Sequence, residues 1–253
     1  MEIELLSNMN FVQIIKKPFS DVRNMSIGFF VLLISFFISY LSSLVLNVGL
    51  IIITAFTSLF VSTLILGYGS KVINGELNGE KELPSWENIP DMILSGVKYT
   101  IVSIVYLLPV MIITIIFFIG VITSLLMDVY DMVPINGAGT TFLSSFSMPM
   151  LITSLILILV SLYFLTGALA NFSKNQDLMD GFNFKEIWSK VSKKNYFLSM
   201  LILLLILGVI QIISLVLSFL FGGVFLISLV IFVFFSWISV VIYHTGIGRA
   251  YNN

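Results

Sequence analysis

The chain has 253 residues, 58% of them apolar and 10% charged, with 12 basic against 13 acidic side chains and a formal charge of −1. A soluble domain carries about 25% charged residues, so this composition, with a mean hydropathy of +1.11, excludes a soluble globular enzyme, a disordered chain and a nucleic-acid-binding protein, and places most residues in a bilayer. Cysteine is absent and histidine occurs once, at His244, which removes disulfides, thiolate catalysis and Cys-ligated metals.

Residues 1–26 are polar, so no cleavable leader is expected and the first apolar run should stay in the protein. Within them, residues 10–19 set Phe11, Ile14, Ile15 and Phe19 on one helical face and Gln13, Lys16 and Lys17 on another, with Pro18 near the end. Two spans follow, 27–46 and 49–68. Residues 85–97 repeat an amphipathic spacing through Trp86, Ile89, Ile93 and Val97, with Asn88 placed to cap and Pro90 in the first turn. Span three covers 99–127 and contains Pro109, which removes a hydrogen bond to the Val105 carbonyl and should kink the helix. Cutting it there into two re-entrant pieces is a less favoured reading. After the loop 128–148, read as flexible over 134–147, comes span four, 149–169. Residues 183–194 place Phe184, Ile187, Trp188 and Val191 at i, i+3, i+4 and i+7, opposite Lys185, Glu186, Lys190 and Lys194, behind an Asn183/Glu186 capping box. Spans five and six are 196–220 and 222–243.

None of the six spans contains Asp, Glu, Lys or Arg, and each has at least 20 residues, enough to cross about 30 Å of hydrocarbon as a helix. Apolarity all round each span argues against the alternating strands of a barrel. The expected fold is therefore all-α: a polytopic helical membrane protein in a single transmembrane domain, with interfacial helices at 10–19, 85–97 and 183–194. All 12 basic residues fall in the segments on the side of the termini, and the loop 128–148 has none. By the positive-inside rule both termini are cytoplasmic. The order surface helix, span, span recurs three times and suggests a threefold repeat. The ends of the even spans echo one another as Gly67-Tyr68-Gly69-Ser70-Lys71, Gly167-Ala168-Leu169-Ala170-Asn171 and Gly246-Ile247-Gly248-Arg249.

The stretch 67–109 has a distinctive order: the Gly67-Tyr68 span end, Leu83-Pro84-Ser85-Trp86, Gly96-Val97-Lys98 and Tyr106-Leu107-Leu108-Pro109. With Phe11 and Lys17-Pro18-Phe19-Ser20-Asp21 upstream, it resembles the domain-of-unknown-function family 4013, integral membrane proteins of archaea and some bacteria. The resemblance is sharpest over residues 10–110 and implies a prokaryotic, most simply archaeal, plasma membrane. It implies no activity.

Few residues are candidates for chemistry. His244 is either a proton relay or ligand, or an interfacial histidine beside Tyr243, and the second reading is favoured because no other His, no Cys and no carboxylate lies in the spans. Gln211 is the side-chain amide deep in a span and either lines a solute path or, the favoured reading, hydrogen-bonds a neighbouring helix. The rows Ser35/Ser39/Ser42, Thr54/Ser58/Ser62 and Gln211/Ser214/Ser218 each share a helix face and are read first as close packing. The pairs Asp128/Asp131 and Asp177/Asp180 offer too few oxygens for a Ca²⁺ or Mg²⁺ site. No catalytic residue, cofactor or metal is expected. Spans without ionisable groups argue against a coupled ion pump.

Two functions remain. One is a non-catalytic scaffold, assembly or membrane-organising component. Its contacts would be Trp86, Trp188, Lys190, Lys193 and Lys194 against anionic headgroups of the inner leaflet, with a membrane-protein partner. The other is an uncoupled permease for an apolar or lipid-like solute, using Pro109, Gln211 and the hydroxyl rows.

Overall fold

The computed structural model describes residues 11–44, 48–130 and 148–252. Eight α-helices occur among them: α1 (Phe11–Lys16), α2 (Val22–Leu44), α3 (Val48–Leu77), α4 (Ile89–Tyr130), α5 (Met148–Asn175), α6 (Phe184–Val191), α7 (Lys194–Leu220) and α8 (Phe225–Asn252). Short 3-10 turns follow α1 at Lys17–Phe19 and precede α6 at Asp180–Phe182. No strand occurs among the described residues. α2, α3, α4, α5, α7 and α8 are each long and apolar enough to cross a membrane, so the protein is all-α and multi-pass. Most of the expected loop 128–148, including Asp131 and the flexible stretch 134–147, lies outside the described residues.

The helix ends follow local chemistry. The Asp21 carboxylate accepts the Asn24 backbone N–H at 3.0 Å and starts α2, meeting one of the donors left open by a first turn. Asn88 accepts the Asp91 N–H at 3.3 Å at the head of α4. The Asn183/Glu186 box closes in both directions: Asn183 accepts the Glu186 N–H at 3.3 Å and its amide donates to the Glu186 carboxylate at 3.2 Å. α3 stops at Gly79, where φ is +78°. There the Glu80 N–H reaches the Gly75 carbonyl at 2.8 Å and the Gly79 N–H reaches Glu76 at 3.2 Å, the double bond of a glycine-terminated helix.

Several boundaries differ from the expected ones, mostly at the end bearing the termini. α3 continues from Tyr68 to Leu77, α5 from Leu169 to Asn175, and α8 from Tyr243 to Asn252. Segment 85–97 is not a separate surface helix. α4 runs unbroken from Ile89 into the third span and through Pro109 to Tyr130. Nothing between Pro90 and Tyr99 breaks a helix, and Gly96 is a packing residue rather than a stop. The re-entrant alternative at Pro109 is accordingly absent.

By its contacts the chain divides into two compact units: Met1–Val102 with Gly167–Asn253, and Ser103–Thr166. In the smaller unit, the described side chains of α4 and α5 are mostly exposed and apolar, among them Ile104, Leu108, Ile112, Ile156 and Leu159. Pro109 is exposed there. In the larger unit α8 packs against α7, α3 and α2. Its largest fully buried side chains are Trp237, Tyr68, Tyr196 and Phe172.

Candidate functional site

The larger unit is tightest where glycines stand at helix crossings. A Cβ on Gly67 would run into the Met92 carbonyl, and one on Gly96 into the Thr63 carbonyl, so α3 and α4 touch backbone to backbone. A Cβ on Gly248 would lie 2.8 Å from the Glu76 Cβ and 3.1 Å from the Ile73 carbonyl, a close but looser approach of α8 to α3. One on Gly69 would strike the His244 imidazole. Gly67, Gly69 and Gly248 belong to the span-end echoes, and Gly96 to the Gly96-Val97-Lys98 motif. Small residues allow such approach where apolar burial alone gives helices no reason to associate.

Beside this crossing lies an aromatic stack. Tyr68 lies on Trp86 with ring centroids 4.4 Å apart and 15° between planes. Trp237 tilts against both at 5.3 and 5.9 Å. Trp86 is only 8% exposed, and its indole N–H donates to the Asn24 carbonyl at 3.0 Å. The sequence reading of Trp86 as a lipid contact is thus replaced by a core position. The segment carrying it folds in over Tyr68 instead of lying along the membrane.

His244 is also interior, at 4% exposed, rather than in a surface belt. Its Nδ1 lies 2.7 Å from the Val240 carbonyl, and its Nε2 3.1 Å from the Tyr99 hydroxyl. A neutral imidazole with its proton on Nδ1 satisfies both contacts, with the tyrosine donating to Nε2. Tyr99 opens the expected third span and His244 lies just past the end of the sixth, so their pairing joins α4 to α8.

A polar seam runs alongside. The Asn74 amide donates to the carbonyls of Ser173 and Lys174 at 2.8 and 2.9 Å, and the hydroxyls of Ser70 and Ser173 lie 3.2 Å apart. Gln176 adopts a left-handed backbone with φ 55°. It is held by Ser95, which donates to its side chain at 2.8 Å, and by Lys98, which donates to its carbonyl at 3.0 Å. Tyr251 donates to Asn171 at 2.9 Å, which in turn donates to the Asp180 carbonyl at 2.8 Å.

The strongest electrostatic feature was not foreseen. Glu76, 7% exposed, holds its carboxylate between Lys17 Nζ at 2.7 Å and Arg249 Nε at 2.7 Å. Lys17, 3% exposed, also donates to the Glu80 carbonyl at 2.7 Å, and Arg249 donates to Gln13 at 3.1 Å. Three chain regions therefore meet on one carboxylate: the segment before α2, the end of α3 and the end of α8. These residues floor a recess of about 510 Å³ whose rim includes Lys16 and Lys81. The sequence placed Lys17 on a solvated face and stopped span two before Glu76. The spacing around neither residue marks the Glu76–Arg249 pair, whose members are 173 positions apart in the chain.

The remaining candidates are spread apart. Gln211, exposed on α7, donates to Ser239 of α8 at 3.0 Å. Trp188 is 53% exposed on α6. Lys190 lies over the Tyr251 ring at 5.5 Å, while Lys193 and Lys194 are exposed. Among the described residues no group of His, Cys, Asp and Glu is arranged to hold a metal.

No curated protein and no solved structure matches the chain. A family model does match, over residues 50–219. That range includes the Gly67/Gly96 crossing, Trp86, Glu76 and the α6 surface helix, and it covers well over half the chain. The chain therefore belongs to the family described as protein of unknown function (DUF4013).

Proposed function

We propose that this protein is a non-catalytic scaffold or membrane-organising component of a prokaryotic, archaeal plasma membrane, with both termini cytoplasmic. The observation that carries the reading is the way α6 divides its apolar residues. Ile187 and Val191 are 0% and 1% exposed and fasten the helix to the protein. Phe184 and Trp188 stack on each other at 6.1 Å and face outward, 56% and 53% exposed. Lys185, Lys193 and Lys194 are exposed around them. A helix clamped on one side, with aromatic rings and lysines on the other, has the composition of an element seated in anionic headgroups. The buried polar seam and the glycine crossings support a rigid body rather than one that opens.

Native mass spectrometry of the protein released gently from its own membrane tests the reading. A stoichiometric protein partner is the expected result. A lone protein retaining one apolar solute would overturn it in favour of an uncoupled permease.

A further inference from the structure

We propose that the recess above Glu76 is a binding site for a phosphate group, carried by a lipid headgroup or free in solution. The recess holds about 510 Å³ and is lined by four cations, Lys16, Lys17, Lys81 and Arg249, against two acids, Glu76 and Glu80. The surplus of two positive charges matches an anion and repels a metal ion.

Of the two acids, Glu76 is the one held in an ion pair among the described residues. Glu76 is spent on Lys17 and Arg249 at 2.7 Å each. The Glu80 carboxylate folds back over α3, where a Cβ on Gly75 would lie 2.9 Å from its oxygen. Lys16 and Lys81, in contrast, are exposed on the rim and make no ion pair among the described residues. The floor is thus a fixed network that sets the shape and field of the recess, and the rim supplies two ammonium groups with hydrogen bonds to give. Its level also fits. The lining comes from α1 and the turn after it, from the last turn of α3 with the residues that follow, and from the last turn of α8, so it lies at the polar ends of two candidate spans, where the phosphates of a bilayer would be met.

The site is independent of the α6 face, and the test separates them. Full-length wild type, K16Q/K81Q and K193Q/K194Q are placed in nanodiscs of phosphatidylcholine containing phosphatidylglycerol, and retained lipid is read by native mass spectrometry. In parallel, inorganic phosphate is titrated onto detergent-solubilised protein at constant ionic strength, with the melting temperature as readout. The expected result is a single retained phosphatidylglycerol or a phosphate-dependent rise in melting temperature, weakened at least about tenfold in K16Q/K81Q alone. The first pattern assigns a lipid headgroup and the second a free phosphate. The rim lysines are exposed, so K16Q/K81Q should melt like wild type without ligand. Responses identical in K16Q/K81Q and wild type would overturn the site. So would a loss confined to K193Q/K194Q, or equal in both variants, while leaving the α6 reading intact.

Discussion

The two halves of α3 both carry large apolar side chains, and these meet opposite fates. From Val48 to Thr63, Ile51, Ile52, Ile53, Phe56, Leu59 and Phe60 project from the protein, and every buried residue of the helix lies from Leu64 onward. α8 is divided in the same way: its first turns expose Phe225, Leu226, Ile227 and Phe232, and its buried residues begin at Val233. Apolar side chains alone do not decide which half packs, because lipid solvates an isoleucine as well as a protein interior does. The packed halves are marked by what lipid cannot supply: glycines that let backbones meet, and polar groups with fixed partners.

The largest test of this contrast is Glu76→Ala set against Leu59→Ala. Removing the carboxylate leaves Lys17, 3% exposed, without its counter-ion, a loss of about 3–5 kcal/mol for a broken buried pair. Leu59 is 66% exposed on the other half of α3, and its truncation should cost less than about 0.5 kcal/mol. Equilibrium unfolding in mixed micelles reads both. Replacing Lys17, Glu76 and Arg249 together by Met should restore much of the loss, since the penalty comes from the unpaired charge. Equal effects of Glu76→Ala and Leu59→Ala would dissolve the distinction between the halves.

Next in size is glycine replacement. Gly67→Val sets a branched side chain against the Met92 carbonyl, which is backbone and cannot turn aside, and should cost about 1–3 kcal/mol or more. Gly208 on α7 has open space around the position of a Cβ. Gly208→Ala should therefore stabilise the helix, by up to about 1 kcal/mol. Opposite signs for the two substitutions, read by melting temperature, are the expected outcome.

The spans were legible because length and apolarity alone define them, and the caps at Asn88 and Asn183 because they depend on neighbours three residues away. The last turns of α3 and α8 were not. Ser70, Lys71, Asn74 and Glu76 look like the start of a solvated loop, yet Ser70 and Glu76 are buried against other chain segments. Pairing across 173 positions, as between Glu76 and Arg249, leaves no local trace. Trp86 was misplaced for a related reason: a tryptophan beside a span reads as a membrane anchor until the turn that folds it over Tyr68 is known. In α6 the spacing gave a single apolar face, but a stripe that wide has two edges. Phe184 and Trp188 lie on one edge and Ile187 and Val191 on the other, and only the second meets the core.

Tyr99→Phe probes the α4–α8 junction more gently. It deletes the hydroxyl 3.1 Å from His244 Nε2 and leaves that nitrogen buried without a donor, for about 1–3 kcal/mol. His244→Phe on the same background should add less than it does alone, because the two residues share one interaction. Additive losses would mean that the pair is only adjacent.

The smallest expected effect decides between two readings of Gln211. Its amide donates to Ser239 at 3.0 Å on the exposed flank of the α7–α8 pair, and interhelical hydrogen bonds in membranes average about 0.6 kcal/mol. A double-mutant cycle over Gln211→Leu and Ser239→Ala should return a coupling of about that size. If the amide instead served a solute path, the coupling would vanish and Gln211→Leu would change flux in liposomes without changing stability. A measurable coupling places Gln211 with the glycines and Glu76, as a residue that fixes one helix against its neighbour where apolar side chains alone would let the two slide.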